Sequence, residues 1–227
     1  MQFPLMIFAA GFGTRMKHLT ENMPKPMVPV AGKPLIDHAI YLAREAQAKP
    51  IVANLHYKAD ILDLHLSGSC VQTIIEHPHI LDTGGGLRNA LPILGHGPVM
   101  TLNSDAIWKG GNPLQQLAAA WQPEEMDALL MTIPLARTRG YTGKGNFIKR
   151  VDGTAARGPD VVYCGAQIMK TDLLHDVDEG CFSLNLIWDK MIAQNRLYTT
   201  EYDGYWCDVG HPDGITEAEK LLGYDAV

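Results

Sequence analysis

Two basic and two acidic side chains stand where their sequence neighbours restrict them. Arg15 follows Ala9-Ala10-Gly11-Phe12-Gly13-Thr14, and Lys25 lies between Pro24 and Pro26. Asp105 comes just after the apolar run Val99-Met100-Thr101-Leu102, and Asp208 sits within Trp206-Cys207-Asp208-Val209-Gly210. Glycines let backbone N–H groups approach a phosphate closely, so Ala9, Ala10, Gly11, Gly13 and Thr14 form a candidate phosphate cradle. Alone, Gly11-Phe12-Gly13 reads equally well as a tight turn; Arg15 and Lys25 supply the positive charge that favours the anionic ligand. The flanking prolines fix backbone torsions and limit where the Lys25 ammonium points. Mg²⁺ takes one or two protein carboxylates and fills its octahedron with water and phosphate oxygens, a set that Asp105 and Asp208 provide if the fold joins them.

The elements that must position these groups alternate between strand and helix. Leu5 to Ala10 is a continuous apolar run ending at Gly11, the pattern of a central strand covered on both faces. Pro34 opens a helix whose apolar residues recur at helical spacing to about Gln47. A strand at 50–55, a helix near 59–66 and a strand at 71–75 follow. Gly84-Gly85-Gly86 then leads into a helix running through Leu91, with a strand at 98–103, a helix near 113–121 and a strand at 128–134. Beyond Arg137, Gly, Lys and Arg interrupt the chain through Gly158. Strands at 161–169 and 197–202 then read as a mixed or antiparallel extension, and helices near 184–194 and 213–222 close the sequence. The expected architecture is a three-layer, Rossmann-like α/β fold: a mixed, mostly parallel sheet flanked by helices, with right-handed crossovers.

Composition excludes several classes. With 46% hydrophobic residues among 227, the chain is neither disordered nor collagen-like. Lys plus Arg total 19 against 25 Asp plus Glu, a formal net charge of -6, so no global basic field exists to hold nucleic acid. Cys70, Cys164, Cys181 and Cys207 form no CxxC pair and no zinc-type cluster, and read as reduced thiols. The apolar opening lacks a basic leader and is too short to span a bilayer, so the expectation is a cytoplasmic protein with no membrane partner. His77 and His79 read as solvent-facing loop residues, and Met131, Trp121 and Trp188 as packing.

Two common phosphate motifs fail: a Rossmann fingerprint needs glycine where Met16 stands, and a P-loop needs Gly-Lys-Ser/Thr. Gly11-x-Gly13-Thr14-Arg15-Met16, Pro24-Lys25-Pro26-Met27-Val28-Pro29-Val30 and Gly32-Lys33-Pro34-Leu35-Ile36 instead resemble the signature of the sugar-1-phosphate nucleotidyltransferases. The similarity covers nearly the whole chain and is greatest to the compact N-acetylmuramate α-1-phosphate uridylyltransferase branch, which serves peptidoglycan recycling. What the resemblance implies is transfer of a nucleotidyl group from a nucleoside triphosphate, UTP favoured, to a sugar 1-phosphate, with Mg²⁺ as cofactor and pyrophosphate as coproduct. It implies one nucleotidyltransferase domain over 1–227, its nucleotide-binding part at 1–135 and its sugar-binding part at 136–227, as a monomer or small homo-oligomer.

Asp82-Thr83-Gly84-Gly85-Gly86 resembles the family's Glu-Thr-Gly-Gly-Gly segment beside the nucleoside, with Asp82 in place of Glu. A glycine-rich helix start also predicts exposed N–H groups facing the cleft. Asp105 and Asp208 match the family's two metal-site aspartates, although Ser104 replaces the usual glycine and threatens to crowd the approach. Asn103, Gly145, Asn146, Gly165 in a Cys164-Gly165-Ala166 turn, and Asn185 stand where the family builds its acceptor pocket, and amides suit sugar hydroxyls. Guanylyl or thymidylyl transfer to a hexose 1-phosphate, cytidylyl transfer to phosphocholine, and a noncatalytic nucleotide-sugar binder remain the alternatives.

Overall fold

A computed structural model describes residues 2–224; Met1 of the expected opening segment and residues 225–227 lie outside them. The strands are β1 (Leu5–Phe8), β2 (Pro29–Val30), β3 (Lys33–Pro34), β4 (Ile51–Leu55), β5 (Val71–Ile75), β6 (Val99–Asn103) and β7 (Ala106–Lys109), then β8 (Ala128–Pro134), β9 (Thr138–Arg139), β10 (Phe147–Lys149), β11 (Ala155–Arg157), β12 (Val161–Met169), β13 (Leu197–Glu201) and β14 (Tyr205–Asp208). The helices are α1 (Leu35–Glu45), α2 (Ala59–Leu66), α3 (Asp82–Leu94), α4 (Pro113–Ala120), α5 (Leu184–Ala193) and α6 (Pro212–Leu222).

β1 lies between β4 and β6, parallel to both, and β5 extends the parallel edge beyond β4. β12 then runs antiparallel to β6 on one side and to β8 on the other, while β13 pairs parallel to β8. The sheet is therefore mixed, as the sequence pattern implies. Leu5, Met6 and Ile7 are fully buried because helices cover both faces, which is why that segment carries no alternation. Large apolar clusters fill the two sides of the sheet. A three-stranded sheet, β7-β14-β9, stands beside the main one.

Two expectations need correction. The stretch after Arg137 contains β9, β10 and β11, strands too short for their alternation to show through the intervening glycines and charges. Cys164-Gly165-Ala166 is no turn: it lies inside β12, where the register with β8 shifts between Tyr163 and Gln167 and Gly165 takes a φ of 81°. Several packing expectations hold. His77 and His79 are exposed, Trp121, Met131 and Trp188 are buried, and the four cysteines are free. None of the helices described is long and apolar enough to cross a membrane.

Candidate active site

The site forms where β1 and β6 end side by side, the edge at which open α/β sheets bind ligands. β6 delivers Asn103 at its last position and Asp105 two residues on; β7 follows at once. β14 pairs antiparallel to β7 with Asp208 opposite Ala106, and the Val209 N–H donates to the Asp105 carbonyl at 2.9 Å. That register brings together two carboxylates separated by nearly half the chain. Lys25, at 9% exposure, donates to Asp105 Oδ2 at 2.6 Å. Its stem packs on Gly13, whose φ is 65° and where a Cβ would stand 2.8 Å from Lys25 Cβ. Glycine at 13 is thus required both by its left-handed backbone and by the lysine beside it.

Arg15 reaches the same place from the other end of the glycine loop. A Cβ built on Gly210 would lie 3.0 Å from each Asp208 carboxylate oxygen and 3.1 Å from Arg15 Nη1, so both groups converge there. Burial pushes the Asp208 carboxyl above the ordinary aspartate range and the charge of Asp105 pushes it further; Lys25, Arg15 and His211 pull it back. Two carboxylates close enough to repel each other, Asp105 lining a cavity, match the donor set of a Mg²⁺ ion that completes its shell with phosphate oxygens and water. Among the described residues no cluster of three or more His, Cys, Asp or Glu side chains forms an all-protein cage.

Two cavities meet at this edge. One of about 240 Å³ is lined by Ala9, Ala10, Gly11, Lys25, Asp82 and Asp105, among others. A Cβ at Gly11 meets nothing within 4 Å, so the loop is open on its cavity side. Thr14 is exposed at the start of the 14–20 helical turns. The second cavity, about 270 Å³, shares Phe8, Asp82, Thr83 and Asn103 with the first and runs out to Asn146, Tyr163 and Asn185. Asn146 Oδ1 is taken by the Tyr163 N–H at 3.0 Å, which fixes the amide's orientation. Gly145 and Gly165 line neither cavity. Gly145, with φ of 104°, packs on the backbone of residues 159–161, and a Cβ at Gly165 would stand 2.8 Å from the Asn103 side chain. Both act by leaving room, Gly165 directly behind an asparagine that faces the cleft.

The glycine run after Asp82 does something other than expected. Gly84, Gly85 and Gly86 are buried, and the Gly84 and Gly85 N–H groups are both spent on the Phe182 carbonyl, at 2.8 and 3.1 Å. They offer no free donors to a ligand. A Cβ at Gly84 would collide with the Phe182 ring and one at Gly85 with the Gly180 carbonyl, so the glycines exist to seat the 178–183 segment on α3. Arg88 clamps the same segment: it donates to the carbonyls of Leu174, Val177 and Glu179 and stacks on Phe182 at 4.8 Å. Asp82 and Thr83 do face the cavities. The Asp82 carboxylate, however, accepts from the Thr83 N–H, and Thr83 Oγ1 accepts from the Leu184 N–H at 2.9 Å. Ser104 does not crowd the cleft, because its buried hydroxyl donates to the Phe8 carbonyl at 2.7 Å and ties β1 to β6.

Sequence reasoning missed a buried network beneath the loop. Asn54 Oδ1 accepts from the Ala9 N–H at 2.9 Å, and Asn54 Nδ2 donates to Glu76 Oε1 at 2.7 Å. Glu76, 1% exposed, uses Oε2 to accept from the Leu81 N–H at 2.7 Å. One carboxylate thereby sets the glycine loop against the start of α3. The available signal was Asn54, a lone amide inside Ile51-Val52-Ala53-Asn54-Leu55; Glu76 carried none. Gly86 makes room for the pair, since a Cβ there would stand 2.7 Å from Glu76 Oε1 and 2.9 Å from Asn54 Nδ2. Gly86→Ala is expected to destabilise by about 1–3 kcal/mol, the crowding outweighing about 1 kcal/mol of helix propensity gained. Urea unfolding checks this, and a stabilised variant would contradict the assigned role.

Fold and site together define an α/β domain with basic and acidic groups gathered at the carboxyl ends of parallel strands. Residues 5–144 match the MobA-like NTP transferase domain, and the chain belongs to that family. It is 37% identical to the N-acetylmuramate α-1-phosphate uridylyltransferase of Caulobacter vibrioides, covering 96% of each chain. It is 30% identical to the enzyme of the same name from Neisseria meningitidis, covering 96% of this chain and 97% of that one. HddC from Yersinia pseudotuberculosis shares the fold with a TM-score of 0.77 at 22% identity, covering 97% of this chain and all of that one. A glucose-1-phosphate thymidylyltransferase assignment from Bacillus anthracis accompanies another neighbour in fold, with a TM-score of 0.78 at 15% identity, covering 99% and 97%.

Proposed function

We propose that this protein transfers a nucleotidyl group from a nucleoside triphosphate, UTP foremost, to a sugar 1-phosphate, N-acetylmuramate α-1-phosphate foremost, giving a nucleotide sugar and pyrophosphate. The observation that carries the reading is the convergence of Lys25, Asp105, Arg15 and Asp208 beside two joined cavities. The uridylyltransferases it matches along 96% of its length support the choice of base and sugar.

In this reading the triphosphate lies along residues 9–15 and the sugar phosphate enters from the second cavity. An acceptor phosphate oxygen attacks the α-phosphorus in line, a new P–O bond forms, the α–β anhydride breaks and pyrophosphate departs. A phosphate monoester has its second pKa near about 6, so the nucleophile is already ionised and no general base is required. Lys25 and Arg15 offset charge gathering on the departing phosphates. Asp105 and Asp208 would hold Mg²⁺, which when bound supplies charge neutralisation to the phosphate oxygens. Asn103, Asn146 and Asn185 orient the sugar, and well-oriented reactants account for about 7–11 kcal/mol of the barrier in comparable intramolecular reactions. A cytoplasmic setting in cell-wall sugar recycling follows from the proposed substrate.

The test is a matrix of the nucleoside triphosphates against sugar 1-phosphates and phosphocholine, with pyrophosphate release as readout. The expected result is strongest release with UTP and N-acetylmuramate α-1-phosphate, loss of release with a chelator and recovery on adding Mg²⁺. Silence across the matrix overturns the proposal; release unaffected by chelation overturns the metal assignment alone.

A further inference from the structure

The second cavity contains a cation that the reaction at the phosphate does not use. Arg157, the last residue of β11, lines it together with Phe147, Trp188 and the three asparagines. β10 meets β12 at Val161 whereas β6 pairs with β12 only from Ala166 on, so Phe147 and Arg157 opposite it lie past the end of β6; Arg157 lines the second cavity and not the first, and Asp105 the first and not the second. Its guanidinium is held in place. The carbon Cζ lies 4.9 Å from the centre of the Phe147 ring and 5.6 Å from that of Trp188. Nε donates to Asp189 at 2.8 Å and Nη2 to the Asn185 carbonyl at 3.1 Å, while Nη1 has no hydrogen-bond partner among the described residues. The one carboxylate lining this cavity, Asp82, stands at its opposite, shared end and already accepts from Thr83.

Resting on the function proposed above, we infer that Arg157 is a specificity-determining residue that recognises a carboxylate carried on the sugar, so that the acceptor site selects an acidic sugar 1-phosphate. A neutral sugar leaves Nη1 without a charged partner, whereas a carboxylate substituent receives a charge-assisted hydrogen bond from it beside the existing pair with Asp189. The aromatic contacts and the bonds to Asp189 and Asn185 restrict this partly exposed guanidinium, which lowers the cost of ordering it when the acceptor binds.

The experiment compares kcat/KM, with UTP, for N-acetylmuramate α-1-phosphate and for N-acetylglucosamine α-1-phosphate, which lacks the lactyl carboxylate. The unaltered protein is expected to prefer the acidic acceptor by about 10- to 100-fold, the usual scale of one hydrogen bond to a charged group. Arg157→Gln should abolish that preference, chiefly through KM of the acidic acceptor. Arg157→Lys, which keeps stem and charge, should retain part of it. Equal losses on both acceptors would mark a packing role and overturn the inference, as would, if the glutamine variant does not fold, an intact preference in Arg157→Met, which keeps the stem without the charge. Activity without preference in the unaltered protein overturns the inference and leaves the proposed function standing; absence of transfer to any sugar phosphate overturns both.

Discussion

Asp105→Asn is expected to reduce kcat/KM by about 100- to 1000-fold or more, while secondary structure and melting temperature stay close to those of the unaltered protein. Asparagine has the size of aspartate and its amide oxygen can still accept from Lys25, which now donates at 2.6 Å, so the fold has little reason to fail. What disappears is the negative charge that pairs with the lysine and that the proposed Mg²⁺ would share. Asp208, set opposite Ala106 by the β7–β14 register, loses the repulsion that helps hold its carboxyl above the ordinary range. Pyrophosphate release under saturating Mg²⁺, alongside a thermal melt, checks the prediction. A variant turning over within about threefold of the unaltered protein would remove Asp105 from the reaction centre.

Gly85→Ala is the second large effect, and it separates two roles for the glycine run. Alanine retains the backbone N–H that bonds Phe182, so donor chemistry is untouched. The added Cβ would instead be driven into the Gly180 carbonyl, a backbone atom that cannot rotate aside. The 178–183 segment must lift from α3, carrying Ser183 and Asn185, which line the second cavity. Stability should fall by about 1–3 kcal/mol. Acceptor turnover should fall by about 100-fold, the scale of a displacement near 1 Å at a reacting group. Nucleotide binding, measured by titration calorimetry, should weaken far less. If turnover survives while the triphosphate no longer binds, the glycines serve the nucleotide and the packing role is wrong.

The contrast between these variants shows how little of a side chain's task lies in its type. Gly13 and Gly85 look alike in the sequence, yet one yields to the Lys25 stem in a left-handed turn and the other to a carbonyl from a segment nearly a hundred residues away. Asn146 reads as a sugar ligand, but half of its amide is committed to the Tyr163 N–H. Glu76 reads as an ordinary charged residue after a strand and is buried at 1% exposure, coordinating two loops.

By itself the sequence determined the local elements. Continuous apolar runs marked β1, β4, β6 and β8, helical spacing marked α1, and glycine and proline placed the loop around Lys25, because torsional preference and hydrophobic period act over a few residues. It also supplied the four charged groups that the fold brings together. Which groups meet was decided by tertiary structure: the β7–β14 pairing that sets Asp208 beside Asp105, the bulge in β12 that leaves Asn103 its space, and the docking of residues 178–183 that claims the Gly84 and Gly85 N–H groups. Short strands such as β10 and β11 form because neighbours supply their hydrogen bonds, and Arg157 becomes a cavity cation only when sheet order carries it there. Such contacts join residues far apart in the chain, and no period or local propensity encodes a partner that distant.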